Sequence, residues 1–193
     1  NSAVTIEAVV ADVEAGNIAA LCEGMEVILD GTDNFATRFL LNEAALRWEI
    51  PWVYGGCLGT QGQTMTVLPR QTPCLSCLLP ECPAPGSLPT CDTVGIMAPI
   101  VNVIAAWEAS EALKILSGNL AAVSRRLTFV DLWGNTVRQM DLQHLRDQAD
   151  CPTCRHGDYP WLEGRQGDRS AVLCGRNAVQ LSPSGRGCRW RSW

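Results

Sequence analysis

Hydrophobic and polar positions follow two different rhythms along the front half of the chain. Val4, Ile6, Ala8 and Val10 recur at every second position, so Thr5 to Val10 reads as a short β-strand. Asn17 to Cys22 reads as a short helical turn, and the run Glu26 to Asp30 (EVILD) as a buried strand. From Asn34 to Trp48 the period lengthens. Phe35, Phe39, Leu40, Leu46 and Trp48 supply much of the apolar surface of a helix there, with Thr32 or Asp33 as its expected N-cap. Pro51 cannot continue that helix, and Trp52 to Tyr54 forms the next strand. Strand, helix, strand at these lengths is a crossover unit, which predicts the α/β class with a parallel sheet.

Beyond Tyr54 the pattern changes. Gly55, Gly56, Gly59 and Gly62 predict a bend into a second strand, Gln63 to Leu68, followed by a proline- and cysteine-rich crossover from Pro69 to Cys91. A long helix is expected from Gly95 to Leu116, closed by Ser117-Gly118. Arg126 to Leu132 and Thr136 to Leu142 predict a hairpin across Trp133-Gly134-Asn135. No internal repeat interrupts this order.

Composition narrows the class. A chain of 193 residues suits one ordinary domain, and 47% hydrophobic with 18% charged residues allows a real core. The net charge of -5 argues against a whole-chain nucleic-acid binder, whose footprint is a strongly basic face. The longest apolar run, Val94 to Trp107, contains Pro99 and stops at Glu108, too short to span a bilayer. Ten cysteines invite comparison with secreted disulfide scaffolds, but those are shorter and poorer in core residues. No secretory leader opens the sequence, so a reducing, cytoplasmic setting is expected, with the cysteines as metal ligands or nucleophiles.

Three clusters carry chemistry. Cys74-Leu-Ser-Cys77 and Cys151-Pro-Thr-Cys154 are two Cys-x-x-Cys knuckles. The two-residue spacer lets one tight turn present two sulfurs at about 2.3 Å from one tetrahedral zinc ion. A structural zinc would pin the late segment of the chain to the crossover, with disulfides or one redox-active pair as the competing readings. Asp30-Gly-Thr-Asp33-Asn34 stands where a strand ends and a helix begins, the place where open α/β sheets bind ligands. An acid there can hold magnesium against phosphates, and the helix-start amides can meet an anion; plain helix capping is the alternative. Cys91 precedes the long helix, a position that favours a nucleophilic thiolate, against a role as a small apolar loop residue. The two histidines, His144 and His156, have no motif partner, so a Cys-His pair is not supported.

Together these pieces resemble the MoeB/ThiF family, relatives of the ubiquitin-activating enzymes. The resemblance runs through Asp30-Gly-Thr-Asp-Asn34, Phe35-Ala-Thr-Arg38, Asn42 and Pro51-Trp-Val-Tyr-Gly55. It continues through Gly62-Gln63, Pro73-Cys74-Leu-Ser-Cys77, Cys91, Gly95-Ile-Met-Ala-Pro99, Glu111-Ala-Leu-Lys-Ile115 and Cys151-Pro-Thr-Cys154. It implies a Rossmann-like, mostly parallel sheet whose N-terminal part is missing, a zinc site of four cysteines and a C-terminal hairpin. Residues 1–157 would be a partial adenylation domain, and residues 158–193 the start of a further segment or a disordered tail. The implied activity is ATP-dependent adenylation of the C-terminal glycine of a ubiquitin-like sulfur carrier of the MoaD/ThiS type, ending in Gly-Gly. Magnesium, a sulfurtransferase partner and a homodimer come with it. Asp33 and Asn34 would line the nucleotide, Asp30 would face metal and phosphates, and Arg38 would support the site. Cys74, Cys77, Cys151 and Cys154 would bind zinc, and Cys91 would handle acyl or sulfur groups.

The sequence also departs from that pattern. The family's Gly-x-Gly-x-x-Gly loop, its ribose-binding acid, and the arginine and lysine that follow are absent, and Lys114 is the sole lysine. The chain therefore reads as a part that begins where the missing half should end. Alternatives from other classes are a non-catalytic zinc-stabilised module that binds a ubiquitin-like protein, and an NAD-dependent oxidoreductase. The latter lacks its glycine fingerprint. Arg165 to Trp193 holds six arginines and one acid, a different regime, and Ser182 to Trp193 within it reads as a truncated tail or, less simply, as a surface for RNA or a partner.

Overall fold

In a computed structural model, residues 3–84, 91–148, 150–167, 170–173 and 178–181 are described. Helix α1 (Ile18–Cys22) leads into strand β1 (Ile28–Leu29), helix α2 (Phe35–Arg47) and strand β2 (Trp52–Leu58). Strand β3 (Gln61–Val67), the single-turn helices α3 (Leu75–Leu78) and α4 (Cys91–Val94), and the long helix α5 (Ala98–Leu116) follow. Strands β4 (Arg126–Asp131) and β5 (Thr136–Asp141) form the expected hairpin, and helix α6 (Gln143–Gln148) precedes the second knuckle. Strands β6 (Ser170–Leu173) and β7 (Ala178–Leu181) make a separate antiparallel pair. The residues from 182 to 193, read as a tail, lie outside the described residues.

The main sheet has the order β1-β2-β3-β4-β5. Within it β1 and β2 run parallel, Ile28 opposite Trp52 and Leu29 opposite Val53; the other three pairs are antiparallel. The expectation of a mostly parallel sheet is thus corrected to a mixed one. The reason is loop length. Helix α2 provides the long crossover that a parallel pair requires, whereas Gly59-Thr60 alone joins β2 to β3 and permits only a hairpin. Gly59 takes φ +59°, which the tight turn requires. Strand β2 continues through Gly55 and Gly56 to Leu58, so these glycines do not bend the chain as expected.

Other boundaries shift for similar reasons. Thr5 to Val10 joins no strand, and Ile6 is 84% exposed there; the alternation has no neighbour to pair with among the described residues. The EVILD run is a strand for two residues only, and Leu29 is half exposed at the edge of the sheet rather than buried. Helix α2 is capped by Asn34, whose Oδ1 accepts the Thr37 amide at 2.8 Å, and not by Thr32 or Asp33. Thr32 is unavailable because its amide and hydroxyl both bond to Asp30.

Two cores sandwich the sheet. On one face Trp52, Tyr54, Met65, Val67 and Leu127 pack against Phe39, Leu40, Leu41, Ala44 and Ala45 of α2. On the other, Ile100 and Ile104 of α5 meet Val130 of β4. Gly62 sets how closely α5 approaches: a β-carbon there would lie 2.5 Å from Ile104 Cγ1 and 2.9 Å from Ile100 Cγ1. The outer side of α5 leaves Val101, Leu113 and Leu116 exposed. No helix among the described residues is long and apolar enough to cross a membrane.

Replacing Gly62 by alanine therefore forces α5 off the sheet. The expected cost is about 1–3 kcal/mol, read as a lower urea midpoint with an unchanged slope.

Candidate functional site

Asp30 extends β1 at its carboxyl end, its amide bonding to Val53 O at 3.0 Å. The residue is 4% exposed, and its two carboxylate oxygens are both engaged. Oδ1 accepts the Thr32 amide at 2.9 Å and the Thr32 hydroxyl at 2.6 Å; Oδ2 accepts Arg38 Nε at 3.2 Å. Arg38, one turn into α2, also donates from Nη2 to Thr32 O at 2.6 Å and Gly55 O at 2.9 Å. Its guanidinium lies 5.3 Å from the Tyr54 ring centroid and 5.7 Å from that of Phe35. A charge buried to this degree needs partners, and the Asp30–Arg38 pair finds them in each other, in Thr32 and in Gly55 O. Burial pushes the Asp30 carboxyl up, while the Arg38 charge and the Thr32 bonds draw it down.

Sequence reasoning missed Glu108. It projects from α5 onto Gly55, so closely that a β-carbon at Gly55 would meet Glu108 Oε1 at 2.3 Å. Glu108 is 8% exposed, and Oε1 has no hydrogen-bond partner among the described residues. Desolvation, then the nearby Asp30 charge, raise its pKa to about 7, with Arg38 opposing. The signal was present in the sequence as the first charge to interrupt an apolar helix, but its place over Gly55 needed the fold. Asn34 spends its side chain on the cap, and Asp33 stands exposed beside it. Cys91 is the first residue of α4, on the segment whose Gly95 carbonyl accepts the Gly59 amide at 2.9 Å. Its side chain lies outside the described residues.

The four knuckle cysteines do converge. Sγ separations are 3.8 Å for Cys74–Cys77, 3.8 Å for Cys74–Cys151 and 3.5 Å for Cys77–Cys154, and all four sulfurs lie within 4.8 Å of one another. Tetrahedral bonds of about 2.3 Å place sulfurs roughly 3.8 Å apart, so the cluster fits a four-coordinate thiophilic cation. A disulfide needs about 2.05 Å, and these cysteines are free thiols. Sulfur-to-sulfur hydrogen bonds, that with Cys151 first, hold Cys74 well above the ordinary thiol value. A cation that displaces those protons relieves the crowding. Cys82, close behind Cys77 in the sequence, donates from its Sγ to Pro83 O at 3.7 Å and stays outside the four. A groove of about 690 Å³ opens beside the cluster, lined by Phe39, Glu43, Thr153, Trp161 and Arg165 among others.

An α/β sheet, a buried ion pair at its strand ends and a cluster of four cysteines are the features of this chain, and known proteins place it in a family. Residues 1–153 match the ThiF family, and the chain belongs to that family. It is 42% identical over 184 residues to the "Sulfur carrier protein ThiS adenylyltransferase" of Bacillus subtilis (strain 168), covering 95% of this chain and 53% of that protein. It is 35% identical over 163 residues to the "SAMP-activating enzyme E1" of Haloferax volcanii, covering 84% of this chain and 59% of the relative. The chain thus spans little more than half the length of these curated relatives. Among solved structures, Escherichia coli MccB with ATP superposes with a TM-score of 0.56 at 14% identity, covering 76% of this chain and 44% of that one, a likeness of fold.

Glu108 gives the stability of the chain a pH dependence. Its carboxyl titrates near 4.5 when unfolded and near 7 when folded, so the native state holds a proton that the unfolded chain releases. Its contribution is fully present below pH 4.5 and is lost as pH rises to about 7. Glu108→Gln is expected to flatten the fall of the urea midpoint across that window; an unchanged profile would contradict the assignment.

Proposed function

We propose that the protein containing this chain adenylates the C-terminal glycine of a ubiquitin-like sulfur carrier at the expense of ATP. The observation that carries this reading is the 42% identity, over 95% of the chain, to a relative named for that activity. The site supplies suitable chemistry. Two anions must meet, the carrier carboxylate and the α-phosphate, and fixed positive charge stabilises their approach. Arg38 offers such a charge at the strand ends, held in one orientation by Asp30, Thr32 O and Gly55 O.

A carboxylate oxygen forms a bond to the α-phosphorus while the bond from that phosphorus to the bridging oxygen of pyrophosphate breaks. The products are the acyl-adenylate and pyrophosphate. Asp33 and Asn34, at the start of α2, would line the nucleotide, and Asp30 would face its magnesium ion and phosphates. Asp30 spends its oxygens on Thr32 and Arg38, so its part here is first to hold the arginine. Cys91 is assigned to the later transfer, in which a thiolate displaces AMP from the activated carbonyl. A sulfide-level sulfur nucleophile supplied by a sulfurtransferase partner would then attack that acyl carbon, breaking its bond to the Cys91 sulfur, so that the thiolate leaves and the carrier ends in a thiocarboxylate. The metal assigned to Cys74, Cys77, Cys151 and Cys154 is zinc, with a structural role, because four thiolates leave no open position for substrate.

The decisive assay is ATP–pyrophosphate exchange by the intact polypeptide with a carrier ending in Gly-Gly. Exchange is expected, and Arg38→Ala is expected to lower it at least about 100-fold, in the range seen when one preorganised electrostatic contact is lost. Binding of a carrier without any exchange would instead identify a docking module.

A further inference from the structure

Arg38 and Asn42 stand one helical turn apart on α2, and they serve different sites. Arg38 holds the strand ends. Asn42 is 0% exposed and uses both ends of its amide on the first knuckle: Oδ1 accepts the Leu75 amide at 2.9 Å, and Nδ2 donates to Ser76 Oγ at 3.2 Å. Leu75 and Ser76 are the two spacer residues between Cys74 and Cys77. Ser76 Oγ also accepts from Thr153 Oγ1 at 3.2 Å, and Thr153 is a spacer residue between Cys151 and Cys154. One buried chain of hydrogen bonds therefore runs from the middle of α2 through both turns that present the sulfurs.

We propose that Asn42 is a positioning residue that sets the ligating shape of the cysteine cluster and joins it to Arg38 through a single turn of α2. The proposal rests on the reading of the cluster as a metal centre. A two-residue spacer leaves the turn little freedom except rotation of its peptide planes, and Asn42 holds one of those planes by its N–H. Ser76 and Thr153 then set the second turn against the first. Outer partners of this kind orient ligands and are worth about 10–100-fold in metal affinity. Residues 38 and 42 lie in one unbroken stretch of α2, so a shift of the first knuckle through Asn42 has a single helical turn to cross to the guanidinium.

Two measurements on the intact polypeptide test this. In chelator competition, Asn42→Ala is expected to bind zinc about 10–100-fold more weakly than the wild type. In nitrogen-resolved NMR, exchanging zinc for the larger cadmium ion is expected to move the Arg38 Nε–H resonance in the wild type and to leave it in place in Asn42→Ala. Should that variant fail to fold, Ser76→Ala removes the link between the knuckles while keeping the bond to the Leu75 amide, and the same two changes are expected in smaller measure. Equal zinc affinity in variant and wild type, or an Arg38 resonance that moves equally in both, overturns the inference alone. A wild type that retains no metal overturns the metal reading with it.

Discussion

The ion pair between Asp30 and Arg38 is the constraint on which the candidate site depends. Both side chains are buried, and a charge taken out of water is tolerated only with its counter-charge and its hydrogen bonds complete. The pair moves toward that condition by recruiting backbone: the carbonyls of Thr32 and Gly55 both accept from Arg38 Nη2. As a result the end of β1, the start of α2 and the middle of β2 are fixed relative to one another.

Helix α2 carries further buried polar side chains one turn beyond Arg38. Its residues 42 and 43 are polar and almost wholly buried, an expensive choice unless each is satisfied. Asn42 holds the first knuckle, while Glu43 Oε2 accepts the Leu162 amide at 2.8 Å. Phe39 meets the Trp161 ring at 5.7 Å between centroids. Burial raises the Glu43 carboxyl to about 7, with the bonds from Leu162 and Trp161 opposing, so this contact is also sensitive to protons near neutrality. The helix thus acts as a spine: a buried ion-paired charge near its first turn, polar attachments to the first knuckle and to Leu162 further along.

Glycines perform complementary work on the sheet. Gly55 and Gly62 are the places where α5 comes down on β2 and β3, one receiving the Glu108 carboxyl and the other the Ile104 side chain. Neither is a turn, although the sequence pattern suggested one. Glycine in a strand interior marks close approach as readily as a bend, and only the position of the facing helix distinguishes the two.

Much of this protein was legible from local rules. The order of elements, the Asp30 to Asn34 strand-to-helix junction, the long helix, the β4–β5 hairpin and the two knuckles follow from periodicity, proline and glycine placement and cysteine spacing. These are effects of neighbours within a few residues. Sheet direction, the failure of Thr5 to Val10 to pair, the cap at Asn34, the burial of Glu108 and the convergence of sulfurs 77 residues apart depend on what stands opposite in space. A strand needs a partner for its backbone bonds, a buried carboxyl needs a reason not to ionise, and a ligand set needs four sulfurs at one point. No stretch of sequence holds those partners together; only the packed chain does.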